Sequence, residues 1–157
     1  MQPTSLRYTV LNRNSISFAT NQFPLSAHGY FRSNAPLKYR LITPCRAVDT
    51  RSLERGGPAL AAGETRTFQI QGNCGVPVGA KAAMLNFVAV DPTAFGYLNA
   101  YPSTTVDPGV ATLFYDLSQG TIANGMPVAL STAANDLAFT VGGNGANLVV
   151  DVCGYFD

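Results

Sequence analysis

Ala82-Ala-Met-Leu-Asn-Phe-Val-Ala-Val90 is the stretch from which the fold follows. Leu85, Phe87 and Ala89 fall on one side of an extended chain, Met84, Val88 and Val90 on the other, and Asn86 is the one polar residue. Apolar side chains on both faces at period two specify a central strand covered on each side. A second stretch, Asn147-Leu-Val-Val-Asp-Val-Cys-Gly-Tyr-Phe156, repeats the pattern. There Leu148, Val150, Val152 and Gly154 face one way, Val149, Asp151, Cys153 and Tyr155 the other. Asp151 in so apolar a strand is expected to be buried and to have a partner, because an unpaired buried carboxylate is costly.

Further strands are expected at 65–71, 95–101, 111–117, 126–130 and 136–141. Between them stand Gly72-Asn73, Val76-Pro-Val-Gly79, Asp91-Pro-Thr-Ala94, Asp107-Pro-Gly109, Gly120, Asn124-Gly125 and Gly142-Gly-Asn-Gly145. Gly and Asn tolerate positive φ and Pro fixes φ and lacks an N–H, so these segments read as turns. Strand signals roughly every 8 to 12 residues, with no amphipathic helix, specify an all-β antiparallel sandwich, jelly-roll-like, over residues 41–157. Residues 1–40 read as an extended basic N-terminal arm. Its two short alternating stretches, Tyr8-Thr-Val-Leu11 and Ile16-Ser-Phe-Ala19, are candidate edge strands.

Of 157 residues, 46% are hydrophobic and 12% charged, about half the usual charged share of a soluble domain. Surfaces of that kind suit a protein that packs against copies of itself or against a large partner. The net charge of +1 gives no case for nucleic acid, but its distribution is uneven. Residues 1–48 carry six Arg or Lys and no acid, whereas residues 49–157 carry four against nine acids. No apolar run is long enough for a membrane helix. The opening MQPTSLRYTVLNRNS has no apolar run of the secretory type, so export is expected either without a signal or after its removal.

The order of motifs along the chain is distinctive. Thr43-Pro-Cys-Arg-Ala-Val-Asp-Thr-Arg51 is followed by Gly57-Pro-Ala-Leu60, Arg66-Thr-Phe68 and Cys74-Gly-Val-Pro77. Then come Met84-Leu-Asn-Phe-Val88, Pro92-Thr-Ala-Phe-Gly-Tyr-Leu98 and the closing Asp151-Val-Cys-Gly-Tyr-Phe156. Over residues 41–156 this order resembles a repeat-type β module of bacterial secreted and cell-surface proteins, found as a C-terminal or tandem domain. The resemblance implies an extracytoplasmic structural or adhesive module and carries no enzymatic activity with it. It also implies that Cys45 and Cys74 form a disulfide. The chain departs from the family in standing as a single copy behind a long arm, and in carrying Cys153 where a small polar or apolar residue is usual. Cys153 reads as a buried thiol, with an interchain bond as the alternative.

Catalytic constellations are not expected. His28 is the one histidine and belongs to no triad order, and no nucleophile elbow, phosphate loop or zinc spacing occurs. No catalytic residue, cofactor or metal is therefore assigned. Arg46, Asp49, Arg51 and Asp151 read as a structural polar network, since guanidinium–carboxylate pairs anchor a loop entering a sheet. Phe95, Tyr97 and Tyr101 share one face of an alternating strand and are the candidate ligand or interface aromatics. The reading that results is a non-enzymatic subunit assembling through arm and sandwich into an extracellular filament, surface layer or virion shell. Its partners are copies of itself or a larger shell or surface protein. The alternative is a carbohydrate-binding or adhesive module.

Overall fold

The computed structural model describes residues 36–157. Eight strands follow in order: β1 Tyr39–Asp49, β2 Thr65–Phe68, β3 Ala82–Val90, β4 Gly96–Pro102, β5 Leu113–Tyr115, β6 Ile122–Ala129, β7 Leu137–Gly143 and β8 Asn147–Phe156. They form two antiparallel four-stranded sheets, ordered β1-β8-β3-β6 and β2-β7-β4-β5. The pairings β4–β5, β3–β6, β2–β7 and β1–β8 nest inside one another, so the chain is a single long double hairpin wound into two layers. Among the described residues the one helical element is a single 3-10 turn at Leu53–Arg55, and no helix is long and apolar enough to cross a membrane.

The core lies between the sheets. Leu85, Phe87 and Ala89 of β3 and Leu148, Val150 and Val152 of β8 meet Phe68 of β2, Leu137, Phe139 and Val141 of β7 and Leu98 of β4. The rings interlock: Phe87 meets Phe139 edge-on at 5.8 Å between centroids, and Phe68 lies 5.0 Å from Phe139. Fully burying a side chain of this size stabilises by about 1.5–3 kcal/mol, so this layer holds the fold together.

Several expectations are corrected. β3 is central in its sheet, but only its inner face is fully buried. Met84, Val88 and Val90 are half-buried, because no second layer among the described residues covers them. In β8 the register slips at Cys153 against β3, a bulge that breaks strict alternation. Beyond it Tyr155 packs against the core instead of facing outward. Asn124-Gly125, read as a turn, lies inside β6 opposite Phe87 and Asn86, since pairing with β3 outweighs local turn preference on an edge strand. The Thr43–Arg46 motif lies in the edge strand β1, whose mostly exposed, bulged path shows no alternation. Of the 1–40 arm, residues 39 and 40 belong to β1, and residues 1–35, with both candidate edge strands and His28, lie outside the described residues.

Candidate functional site

Arg46, Asp49, Arg51 and Asp151 come together across β1, β8 and the turn after β1. Cα pairing sets Arg46 opposite Asp151. Arg46 grips Asp151 in a fork, Nε to Oδ1 at 2.9 Å and Nη2 to Oδ2 at 3.2 Å. Its Nη1 lies 3.6 Å from Asp49 Oδ2. Arg51 closes on the same Asp49, Nε to Oδ1 at 2.8 Å and Nη2 to Oδ2 at 2.7 Å, while its backbone N–H donates to Oδ1 at 3.1 Å. Charges alternate along the row Asp151, Arg46, Asp49, Arg51, and both carboxylates are held by guanidinium, so neither serves as a free acid or base. Asp151 has its partner but is not buried: its side chain keeps 25% exposure beside an Arg46 that keeps 41%. Both side chains lie on the face of the first sheet turned away from the core, which solvent reaches, so this pair contributes at most about 1 kcal/mol.

Asp49 is the buried member. The Arg51 side chain, aided by its backbone N–H and by the Arg46 charge and opposed by desolvation, holds the Asp49 carboxyl down to about 2. A depressed folded-state value means that stability is present above the unfolded value near 4 and is lost as pH falls towards 2. With partners this exposed, we expect about 1–2 kcal/mol from the group. Asp49→Asn should therefore flatten the acid limb of a stability–pH curve between about pH 4 and 2 while lowering stability at pH 7. An unchanged acid limb would mean that Asp49 does not titrate against this network.

The candidate aromatics separate. Tyr101 is buried, its hydroxyl 2.7 Å from Thr140 Oγ1. The β4–β5 connection folds back over this part of the sheet: Asn99 donates to Asp107 at 2.9 Å, and Ala100 N–H donates to Thr112 Oγ1 at 2.9 Å. Phe95 and Tyr97 instead join Phe114 of β5, which the sequence reading missed. The Phe95 and Phe114 rings stack 6.2 Å apart, with Tyr97 6.0 Å from Phe114. Phe95 and Phe114 are each 56% exposed. Cross-strand pairing of Tyr97 with both Phe114 and Gly142 builds the cluster. Gly142 is required there, since a Cβ would sit 2.0 Å from Tyr97 Cζ.

Cys45 of β1 is bonded to Cys74 in the β2–β3 connection, across a Cα–Cα distance of 5.5 Å. Cys153 is a half-buried free thiol. Asp136, at the head of the expected 136–141 strand and directly before β7, is fully buried and accepts the N–H groups of Ile70 at 3.0 Å and Gln71 at 2.7 Å. Those two residues were expected in the second strand. Their N–H groups turn to this carboxylate after β2 ends at Phe68. A last feature lies at the open side of the sandwich, where a groove of about 440 Å³ runs between the edges of β5 and β6.

Scans against family models and searches of curated proteins and of solved structures find no match to this chain.

Proposed function

We propose that this chain is a non-enzymatic structural subunit that assembles with copies of itself outside the cytoplasm, in a filament, surface layer or virion shell. The observation that carries the reading is the exposed ring cluster of Phe95, Phe114 and Tyr97 on the outer face of the second sheet. Large aromatics are enriched in the cores of protein interfaces, and contiguous exposed apolar patches mark contact surfaces. The strand order, β1-β8-β3-β6 facing β2-β7-β4-β5, supports a jelly-roll reading, an architecture common in capsid and lectin domains. That likeness is architectural and carries no function by itself. A disulfide in so small a domain supports an oxidising location.

Magnitude limits what the cluster does alone. Covering its exposed part removes roughly 250–300 Å² of apolar surface, worth about 6–7 kcal/mol at 25 cal/mol per Å². Association costs about 4–15 kcal/mol in lost freedom, so the rings give weak self-contact and a second contact must complete it. The basic arm, meeting an acidic body, is that contact in this reading.

The test is the double substitution Phe95→Ser, Phe114→Ser in the full chain. Both side chains are half exposed, so the unfolding midpoint should move little, while association measured by sedimentation velocity should weaken at least tenfold, roughly 1.4 kcal/mol. Unchanged association would remove the cluster from the interface. The same stacked rings favour the carbohydrate reading as the alternative. That reading predicts retention of the parent, and not of the double variant, in affinity electrophoresis through neutral polysaccharide.

A further inference from the structure

We infer that the groove between β5 and β6 binds a segment of a neutral oligosaccharide, with Gln119 and Asn124 holding its hydroxyls and Phe114 covering a sugar face. The inference rests on the carbohydrate alternative above, to which it gives a site, and it does not require self-association.

One residue breaks the pattern of its strand. Opposite Ala89, Phe87, Leu85 and Ala83 of β3 stand Ile122, Asn124, Met126 and Val128 of β6. Those four β3 residues are fully buried in the core, so alternation puts their four β6 partners on the inner face as well. Three of the partners are apolar, but Asn124 is an exposed amide. Its Nδ2 donates to Thr112 O, just before β5 in the other sheet, at 2.7 Å. An amide thus crosses the open side of the sandwich where an apolar side chain would have closed it. Asn124 lines the groove, and its Oδ1 remains an acceptor. Gln119 lines it too, exposed at the end of a turn shaped by Asp116, whose Oδ1 accepts Ser118 N–H at 2.7 Å and Gln119 N–H at 3.2 Å. Among the described residues no hydrogen bond engages the Gln119 side-chain amide, which keeps its carbonyl and both N–H groups for a ligand.

The lining sets the chemistry of the ligand. It is more polar than apolar, which disfavours an apolar occupant. No charged residue lines it, so an ionic ligand would lose water without gaining a counter-charge. What the groove offers is amide donors and acceptors side by side. Hydroxyls match these, since each both donates and accepts. Phe114 supplies the other half of the site. It lines the groove, yet its ring is 56% exposed and continues into the cluster with Phe95 and Tyr97. An aromatic face next to hydrogen-bonding side chains suits a molecule with an apolar C–H face and polar edges, the form of a pyranose ring. At about 440 Å³ the groove is near the small end of ligand sites, so it holds a short segment of a chain and holds it weakly. Copies arrayed in an assembly would multiply that contact through avidity. Phe114 serves both uses, so self-contact and sugar compete for its ring, whereas Gln119 and Asn124 serve the sugar alone.

The test is titration of the isotope-labelled full chain with cellohexaose, maltohexaose and chitohexaose, read by NMR. At least one of them should shift the side-chain amide signals of Gln119 and Asn124 together with the backbone signals of Leu113 and Phe114. Gln119→Ala should weaken that binding by about 3–10-fold, as for one lost hydrogen bond, with the melting point and the self-association of the parent unchanged. Gln119 is exposed in a turn, so this variant folds as the parent does. No shift at Gln119 or Asn124 with any of the three sugars overturns the proposal, and so does a Gln119→Ala variant that binds like the parent. Shifts confined to Phe95 and Tyr97 would overturn the groove while keeping the ring platform of the carbohydrate alternative. The readout needs no self-contact, so its failure is separate from failure of the assembly reading, which light scattering decides.

Discussion

Replacing Asp136 with alanine is expected to lower the stability of the sandwich by about 3–5 kcal/mol, taking roughly 1–3 kcal/mol for each buried donor left without a partner. Asp136 has no exposed surface, and its carboxylate receives the Ile70 and Gln71 N–H groups. Its own carbonyl accepts Ser131 N–H at 3.0 Å, and the Gln71 side chain donates to Ser131 O at 2.7 Å. The residue thus joins the end of β2 to the connection between β6 and β7. For a domain of this size the loss corresponds to a melting shift of roughly 12–20 °C. Asp136→Asn keeps one acceptor and should cost less than alanine. Burial pushes the Asp136 carboxyl above its ordinary value, against the pull of the Gln71 and Ile70 N–H groups. A carboxyl raised in the folded state binds more protons there than in the unfolded chain. Its contribution therefore falls as pH rises from about 4 through the raised value, opposite in sign to that of Asp49. The difference between Asp136→Asn and the parent should accordingly be larger near pH 4 than at pH 7. A melting point within a few degrees of the parent for Asp136→Ala would mean that water replaces the carboxylate.

The second large effect is expected from the staple. Cys45 and Cys74 are separated by 29 positions, and closing a loop of that length in the unfolded chain is worth about 3–4 kcal/mol in the chain-entropy model. Cys45→Ala with Cys74→Ala should thus lower the melting point by roughly 12–16 °C. Alkylation of the unfolded parent without reductant should label Cys153 alone. Three labelled thiols would contradict the bond, and an unchanged melting point would contradict its contribution.

How much of this was legible depended on how local the signal was. β3 and β8 have the bounds read from alternation, because each sends one apolar face into the core, β3 along its whole length and β8 as far as its bulge at Cys153. β1 left no such print: it is an edge strand with bulges and few buried residues, and it pairs with a strand more than one hundred residues away. β6 was shortened because Asn124-Gly125 carries a turn preference that β3 overrides. The Cys45–Cys74 pairing came from resemblance, since three cysteines alone allow three pairings. Within the candidate site, Arg46 and Asp151 were singled out because a charge in an apolar strand needs a partner. The exposure of Asp151 was not readable, since it depends on whether another layer covers the outer face of the sheet. Phe114 and the role of Asp136 were hidden for one reason. Each is defined by what lies opposite it, Tyr97 in one case and the Ile70 and Gln71 N–H groups in the other, and register between strands is not written in either strand by itself.

The central claim is self-association of the intact chain, and its most direct test is the mass of the full 157-residue protein in solution by multi-angle light scattering across a wide concentration range. The account predicts a weight-average mass that climbs above 16.6 kDa with concentration. A constant 16.6 kDa at every concentration would contradict it.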